Sequence, residues 1–253
     1  MNMARRRILV TGSSGIAAAL IRALDKRDDS IFILGGTDQD ARSLNNECRN
    51  IKGFSSIDLR NEGECVQGFN QASESLGGIT DVVGIVGGSG RKFGDARFGE
   101  IPISGWNETL NLNLSTAFLT LREGIRALSG NGGSITLTSS VLATSPVHEG
   151  FSTHAYATSK YAIEGMTKLA AASYVEEKIR INAVAPALVT TPMSQRATTD
   201  PKIQDFVQIK QPLSNGQLTA DALVSAYIYC IDNLYITGEI LTVDGGWKSV
   251  KRN

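Results

Sequence analysis

Tyr156 and Lys160 stand four residues apart in the run Ala155-Tyr156-Ala157-Thr158-Ser159-Lys160. The stretch 155–174 reads as a helix, so both side chains leave one face a turn apart. The chemistry open to such a pair is proton transfer. A free phenol titrates near about 10, and a neighbouring ammonium stabilises the phenolate. Bringing the tyrosine to neutrality takes roughly 4 kcal/mol, at about 1.4 kcal/mol per pKa unit. A tyrosine and a lysine on an ordinary helix surface would show the same spacing. Company from elsewhere in the chain decides between the two readings.

The first companion is Ile8-Leu9-Val10-Thr11-Gly12-Ser13-Ser14-Gly15-Ile16-Ala17-Ala18-Ala19, a strand, a glycine turn and a helix start. Glycines let backbone approach a pyrophosphate, whose charge the amides at the helix N-terminus then meet. Ala18 replaces a third glycine and is small enough for tight helix–strand packing. A glycine turn can be only a turn, but its place after the first strand favours a dinucleotide site.

The elements that must position these groups alternate regularly. Short apolar runs at 7–11, 30–35, 53–57, 81–86, 134–139, 180–185 and 239–243 read as strands, with helical stretches between them. Most are continuous rather than alternating runs, as expected of parallel strands buried on both faces. The pattern predicts a doubly wound α/β sheet with right-handed crossovers. Residues 87–99 and 190–216 are the long irregular stretches, both following strand ends where ligands bind in this architecture. The second reads as a substrate-covering loop. With no linker or repeat, the 253 residues form one domain.

Composition bounds the role. The chain has 42% hydrophobic and 20% charged residues and a formal net charge of +0, against a charge-driven nucleic-acid or membrane role. Arg5-Arg6-Arg7 reads as a solvated terminus. No apolar run approaches the roughly 20 residues of a membrane span, and the early first strand leaves no room for a signal peptide. Cys48, Cys65 and Cys230 are scattered without metal-ligand spacing, so no metal site is expected and a reducing cytoplasm fits best.

These motifs together resemble the compact short-chain dehydrogenase/reductases, including 3-oxoacyl reductase-like members, over nearly the whole chain. The resemblance implies a Rossmann fold and a nicotinamide dinucleotide. The glycine motif is that family's T-G-x-x-x-G-x-G with one residue removed, close to the spacing of the family's longer branch. The family's N-N-A-G after the fourth strand appears as Ile85-Val86-Gly87-Gly88, so the bracing that its asparagines supply must come from elsewhere. Trp106-Asn107-Glu108-Thr109-Leu110-Asn111-Leu112-Asn113 resembles the helix of the catalytic asparagine, a role falling on Asn113 with Asn111 the lesser candidate. Its task would be to hold the lysine through a water.

Gly133-Ser134-Ile135-Thr136-Leu137-Thr138-Ser139-Ser140 resembles the fifth strand with its serine pair. Ser140 would bind the substrate oxygen; Ser139 is the alternative. The extra length before Tyr156, at 144–153, would enlarge a loop above the pocket. It holds His148, with His154 just after; neither is expected to act as acid or base. The resemblance places cofactor contacts on Gly12, Ser13, Ser14, Gly15, Ile16, Thr37, Asp58, Leu59, Gly87, Tyr156, Lys160, Pro186, Val189 and Thr191. Among these, Asp58 would meet the adenine, Val189 the carboxamide and Thr191 the pyrophosphate. Asp58 reads equally as a strand-end turn residue.

The implied reaction is reversible hydride transfer between a nicotinamide and a carbonyl/secondary alcohol pair, with Tyr156 as general acid/base. Two other readings compete: a catalytically silent dinucleotide sensor or scaffold, and a dehydratase or epimerase of the longer branch, which lacks its separate substrate domain here. Cofactor choice rests on Leu34-Gly35-Gly36-Thr37-Asp38. The missing acid at Gly36, the room there and the nearby Arg42 favour NADP(H). NAD(H) remains the alternative, through an inward turn of Asp38. The resemblance also implies a homotetramer or homodimer joined through the helices of Asn113 and Tyr156 and the edge strand 239–243.

Overall fold

The computed structural model describes residues 5–145 and 150–250. Seven strands form one parallel sheet in the order β3-β2-β1-β4-β5-β6-β7. They are β1 (Arg7–Thr11), β2 (Ser30–Leu34), β3 (Ile51–Ser55), β4 (Asp81–Gly84), β5 (Gly133–Thr138), β6 (Ile179–Pro186) and β7 (Ile240–Val243). The helices are α1 (Ile16–Asp25), α2 (Asp38–Glu47), α3 (Glu62–Leu76), α4 (Ile103–Leu110), α5 (Thr116–Leu128), α6 (His154–Tyr174), α7 (Gln195–Thr199), α8 (Pro201–Lys210) and α9 (Asp221–Asp232). The doubly wound α/β expectation holds, and the strand order reverses between β1 and β4.

Strand alternation divides the core. Ile8 and Val10 of β1 join α1, α2 and α9 in one apolar layer. Leu9 faces the other, built from α3, α5 and α6. A smaller third cluster, Val141, Ala197, Ile203, Val207 and Trp247, packs α7 and α8 against the loop after β5. Residues 190–216 are therefore not irregular: they carry a single helical turn, α7 and α8. Asp200 caps α8 by accepting from the Lys202 and Ile203 amides.

Where strand ends differ from the sequence reading, local backbone explains it. Gly35 and Gly36 have φ of 76° and 82°, which ends β2 at Leu34. β3 starts at Ile51, which pairs with Ile31, and its register with β2 then skips Lys52. β4 stops at Gly84 because the next two amides turn to a side chain: Ile85 N–H and Val86 N–H both donate to Thr11 Oγ1, at 2.8 and 3.2 Å. That hydroxyl supplies the bracing expected of the missing asparagines.

The arginine run is tied down rather than solvated. Arg5 bonds Asp28 and Asn50, Arg6 lies 3.6 Å from the buried Asp81 carboxylate, and Arg7 donates to Gly77 O at 2.7 Å. Cys48, Cys65 and Cys230 are buried free thiols. Among the described residues no helix is long and apolar enough to cross a membrane.

Candidate active site

A cavity of about 740 Å³ opens over the strand ends at the β1/β4 switch point, where such sheets bind ligands. One end is the glycine turn. Gly12 has φ of 94°, and its N–H donates to Leu34 O. Gly15, at φ 55°, begins α1, and a Cβ on it would press 3.0 Å from Thr191 Cγ2. Backbone therefore lies bare on the cavity between two strand ends, and Ser13, Ser14 and Ile16 line it too. Ala18 is buried in the core as its size requires. Gly87, Pro186, Val189 and Thr191 complete the lining expected of a dinucleotide site. An extended cofactor bearing phosphates fits this cradle, with α1's first amides toward the charge.

The other end holds the proton-transfer candidates. Lys160 Nζ donates to Thr138 O at 2.7 Å and lies 5.5 Å from the centre of the Tyr156 ring. Ser140 hydrogen-bonds the Tyr156 phenol, and its Oγ accepts from Leu142 N–H at 3.2 Å. Ser139 faces away: its Oγ donates to Glu164 Oε1 at 2.8 Å and to Lys160 O at 3.2 Å. Of the serine pair, geometry puts Ser140 beside the phenol and makes Ser139 a fastener between β5 and α6.

Asn113 sits in a five-residue π-helical turn, Asn111–Ser115, between α4 and α5. Its side-chain amide donates to Gly88 O and Thr109 O, both at 2.9 Å. Its Oδ1 accepts from Gly88 N–H at 3.0 Å. The Asn113 side chain thus clamps Gly88 through both its N–H and its C=O. Gly87 separates the two groups. A Cβ there would fall 2.8 Å from Asn113 Oδ1 and 3.4 Å from Lys160 Nζ.

Three expected cofactor contacts stand outside the lining: Thr37, Asp58 and Leu59. Thr37 caps α2 by accepting from Asp40 N–H at 3.1 Å. Asp58 is gripped by Arg60, with bonds of 2.6 to 3.0 Å, which holds its carboxyl below the usual range. Leu59 is buried in the core. Gly36 lines the cavity, and a side chain on it would run into Ser13 Oγ. Asp38 does not turn inward and Arg42 does not reach in: they bond each other at 2.6 Å on the exposed side.

Asp95 is a positioning residue with no local signature in the sequence. It is buried, and its carboxylate accepts from Ala155 N–H at 2.9 Å and Tyr156 N–H at 3.0 Å. It thus caps α6 from a distant loop, since Thr153 makes no side-chain cap. His154 Nδ1 accepts from Phe98 N–H at 3.1 Å, a loop clamp and not a proton donor to the cavity. His148 and part of the 144–153 loop lie outside the described residues.

The family model described as enoyl-(acyl carrier protein) reductase matches residues 10–248. Momilactone A synthase of Oryza sativa subsp. japonica is 29% identical over 246 residues, covering 94% of this chain and 88% of that protein. D-beta-hydroxybutyrate dehydrogenase of Rhizobium meliloti strain 1021 is 27% identical over 262 residues, covering 94% and 97%. The solved structure of ElxO with NADP bound has a TM-score of 0.86 at 23% identity, covering 98% of this chain and 100% of that one, a likeness of fold. The chain belongs to the short-chain dehydrogenase/reductase family. It is an NAD(P)-dependent oxidoreductase acting on a carbonyl/alcohol pair.

Electrostatics at Tyr156 reverse the expectation from sequence. Burial raises the phenol above its ordinary value, and the Ser140 hydrogen bond pulls it down only in part. Burial also lowers the Lys160 ammonium to about 8. In a cleft of low dielectric both charged forms lose solvation, and that loss is the leading cause of each shift.

A lysine that holds its proton less tightly when folded gives a stability that rises with pH between its folded and unfolded values. The raised Tyr156 works oppositely, but only above its unfolded value of about 10. The unfolding free energy of wild type minus that of Lys160→Met should therefore grow by about 2–3 kcal/mol between pH 8 and pH 10. Urea midpoints across that range check this; a difference flat with pH refutes it.

Proposed function

We propose that Tyr156 is the general acid/base of hydride transfer, giving its proton to the developing alkoxide or taking it from the alcohol. The observation that carries this reading is the Ser140–Tyr156 hydrogen bond at the wall of the cavity that reaches the glycine turn. A substrate oxygen entering there meets two hydroxyls at once. Ser140 orients and polarises it where charge builds up. Lys160, held by Thr138 O, stabilises the phenolate state and contacts the ribose. Asn113 supports the relay by fixing the backbone between itself and Lys160. The dinucleotide, when bound, supplies or accepts the hydride. Gly12, Ser13, Ser14, Gly15, Ile16, Gly87, Pro186, Val189 and Thr191 would hold it.

A silent sensor would need no such convergence, and the curated relatives named above are a synthase and a dehydrogenase. Tyr156→Phe should lower turnover by at least about 10³-fold while leaving dinucleotide binding within a few-fold, because only the proton-bearing oxygen is removed. Lys160→Ala should lose both rate and cofactor affinity. Absorbance at 340 nm with a panel of ketones and alcohols measures the rate. Retention of most of the wild-type rate in Tyr156→Phe would falsify the mechanism.

NADP(H) remains the proposed cofactor, now on narrower grounds: no acid faces the cavity beside Gly36, and the solved ElxO structure contains NADP. The mutual pairing of Asp38 and Arg42 weakens the arguments for both cofactors. NADPH should bind more tightly than NADH when the two dissociation constants are measured side by side; NADH tighter by tenfold overturns the choice.

A homotetramer or homodimer, and a cytoplasmic setting, are proposed with it. Phe118 on α5 and Tyr161 and Leu169 on α6 are 46%, 62% and 73% exposed in the single chain. They form apolar surface that a symmetry mate would cover. The three free thiols suit a reducing compartment. Light scattering at micromolar concentration should give a multiple of the single-chain mass.

A further inference from the structure

Every charged side chain described on the cavity wall is basic: Arg91, Lys92, Lys160 and Arg196. The chain as a whole has 25 Lys+Arg and 25 Asp+Glu, so the imbalance is local. Lys160 is accounted for by the proton chemistry. Arg91 and Arg196 are not. One leaves the helical turn Gly90–Phe93 and the other α7, yet both converge on a single atom. Nη2 of each donates to Gly150 O, at 2.8 and 2.6 Å.

Among the described residues neither arginine has an ion-pair partner. Asp95 is the acid whose field reaches Arg91, and its carboxylate is taken by the α6 amides. Burial lowers the Arg91 pKa, and the Arg196 charge lowers it further. A guanidinium keeps its proton at any working pH, so the shift reports the partial burial of Arg91 and the repulsion of a second cation, although both side chains still reach solvent. One neutral carbonyl oxygen shared between two guanidinium groups is weak compensation; a carboxylate, with two charged oxygens matching the guanidinium fork, is far better.

A second observation falls on the same wall. Trp247 lines the cavity, is buried, and its Nε1–H has no acceptor among the described residues. Its ring meets Phe151 edge-on at 5.6 Å, and Phe151 directly follows Gly150. Trp247 therefore belongs to the same cavity wall as the arginine pair, with its ring packed on the residue that follows Gly150.

We propose that Arg91 and Arg196 form a carboxylate-binding subsite, so that the substrate is a hydroxy acid or the corresponding oxo acid. Its carboxylate sits at the Gly150 side of the cavity and its carbinol or carbonyl carbon faces Tyr156. The apolar wall of Val141, Leu142 and Phe151 flanks the carbon skeleton. This assignment rests on the reading of the cavity as a site for a carbonyl/alcohol pair.

The test is calorimetric titration of the dinucleotide-saturated protein with butyrate and cyclohexanecarboxylate, with the primary amide of each, and with methyl phosphate. The carboxylates should bind at least about tenfold more tightly than their amides, as expected when a charge-assisted contact is lost. That advantage should vanish in Arg91→Gln/Arg196→Gln. The dinucleotide dissociation constant should stay within twofold in that variant. Equal affinity for acid and amide, no binding of either, or an advantage that survives the double substitution overturns the proposal. So does tighter binding of methyl phosphate, which would make the site a phosphate site. A weakened dinucleotide would assign the arginines to its pyrophosphate and overturn it as well. Carboxylate preference without turnover of any hydroxy acid would support the subsite and count against hydride transfer alone.

Discussion

The site depends on how the backbone is held where it leaves β4. A chain emerging from the middle of a parallel sheet carries amides and carbonyls that no strand will pair, and burial makes each unpaired one costly, about 1–3 kcal/mol. Here two side chains take up that load. The Thr11 hydroxyl accepts from Ile85 and Val86, and the Asn113 side chain both donates to and accepts from Gly88. Between those anchors Gly87 is fixed with only a hydrogen facing Lys160. Lys160 is anchored in turn to Thr138 O at the end of the adjacent strand. The cavity floor and the ammonium are therefore positioned from neighbouring strand ends. Apolar residues at 85 and 86 are tolerated because the threonine does the bracing.

Tyr156 is held by a different device. It lies in the first turn of α6, where helices have unpaired amides and fray. The residue at the head of that helix supplies no cap, and Asp95 reaches across from the loop after β4 to accept from two of the amides. A negative charge at a helix N-terminus is favourable in its own right. The phenol is thus as rigid as the loop that carries Asp95.

Much of the architecture was legible because it is written in local patterns. Continuous apolar runs marked the strands, and the glycine turn and the Tyr156–Lys160 spacing marked both ends of the cavity. What was not legible depends on contacts between distant residues. Thr11 and Ile85 are 74 positions apart, and Asp95 and Ala155 are 60; nothing in either neighbourhood announces the bond. Asp58 was ambiguous for the opposite reason, since its partner Arg60 is two residues away and either a turn or an adenine contact fits the sequence. The direction of the Tyr156 shift is not legible in spacing because it depends on burial. Sequence spacing shows that a cation is near, but the solvent removed from around both groups decides the sign.

The pairing of Asp38 with Arg42 has a consequence for how this chain can change. Each residue neutralises the other's charge at the edge of the cavity. Their bond, on an exposed helix turn just beyond the cavity edge at Gly36, is worth little to the fold. Loss of either member costs almost no stability and releases the other. One replacement there changes the charge beside the cavity edge without disturbing the core, so this surface is free to drift in sign while the fold stays as it is.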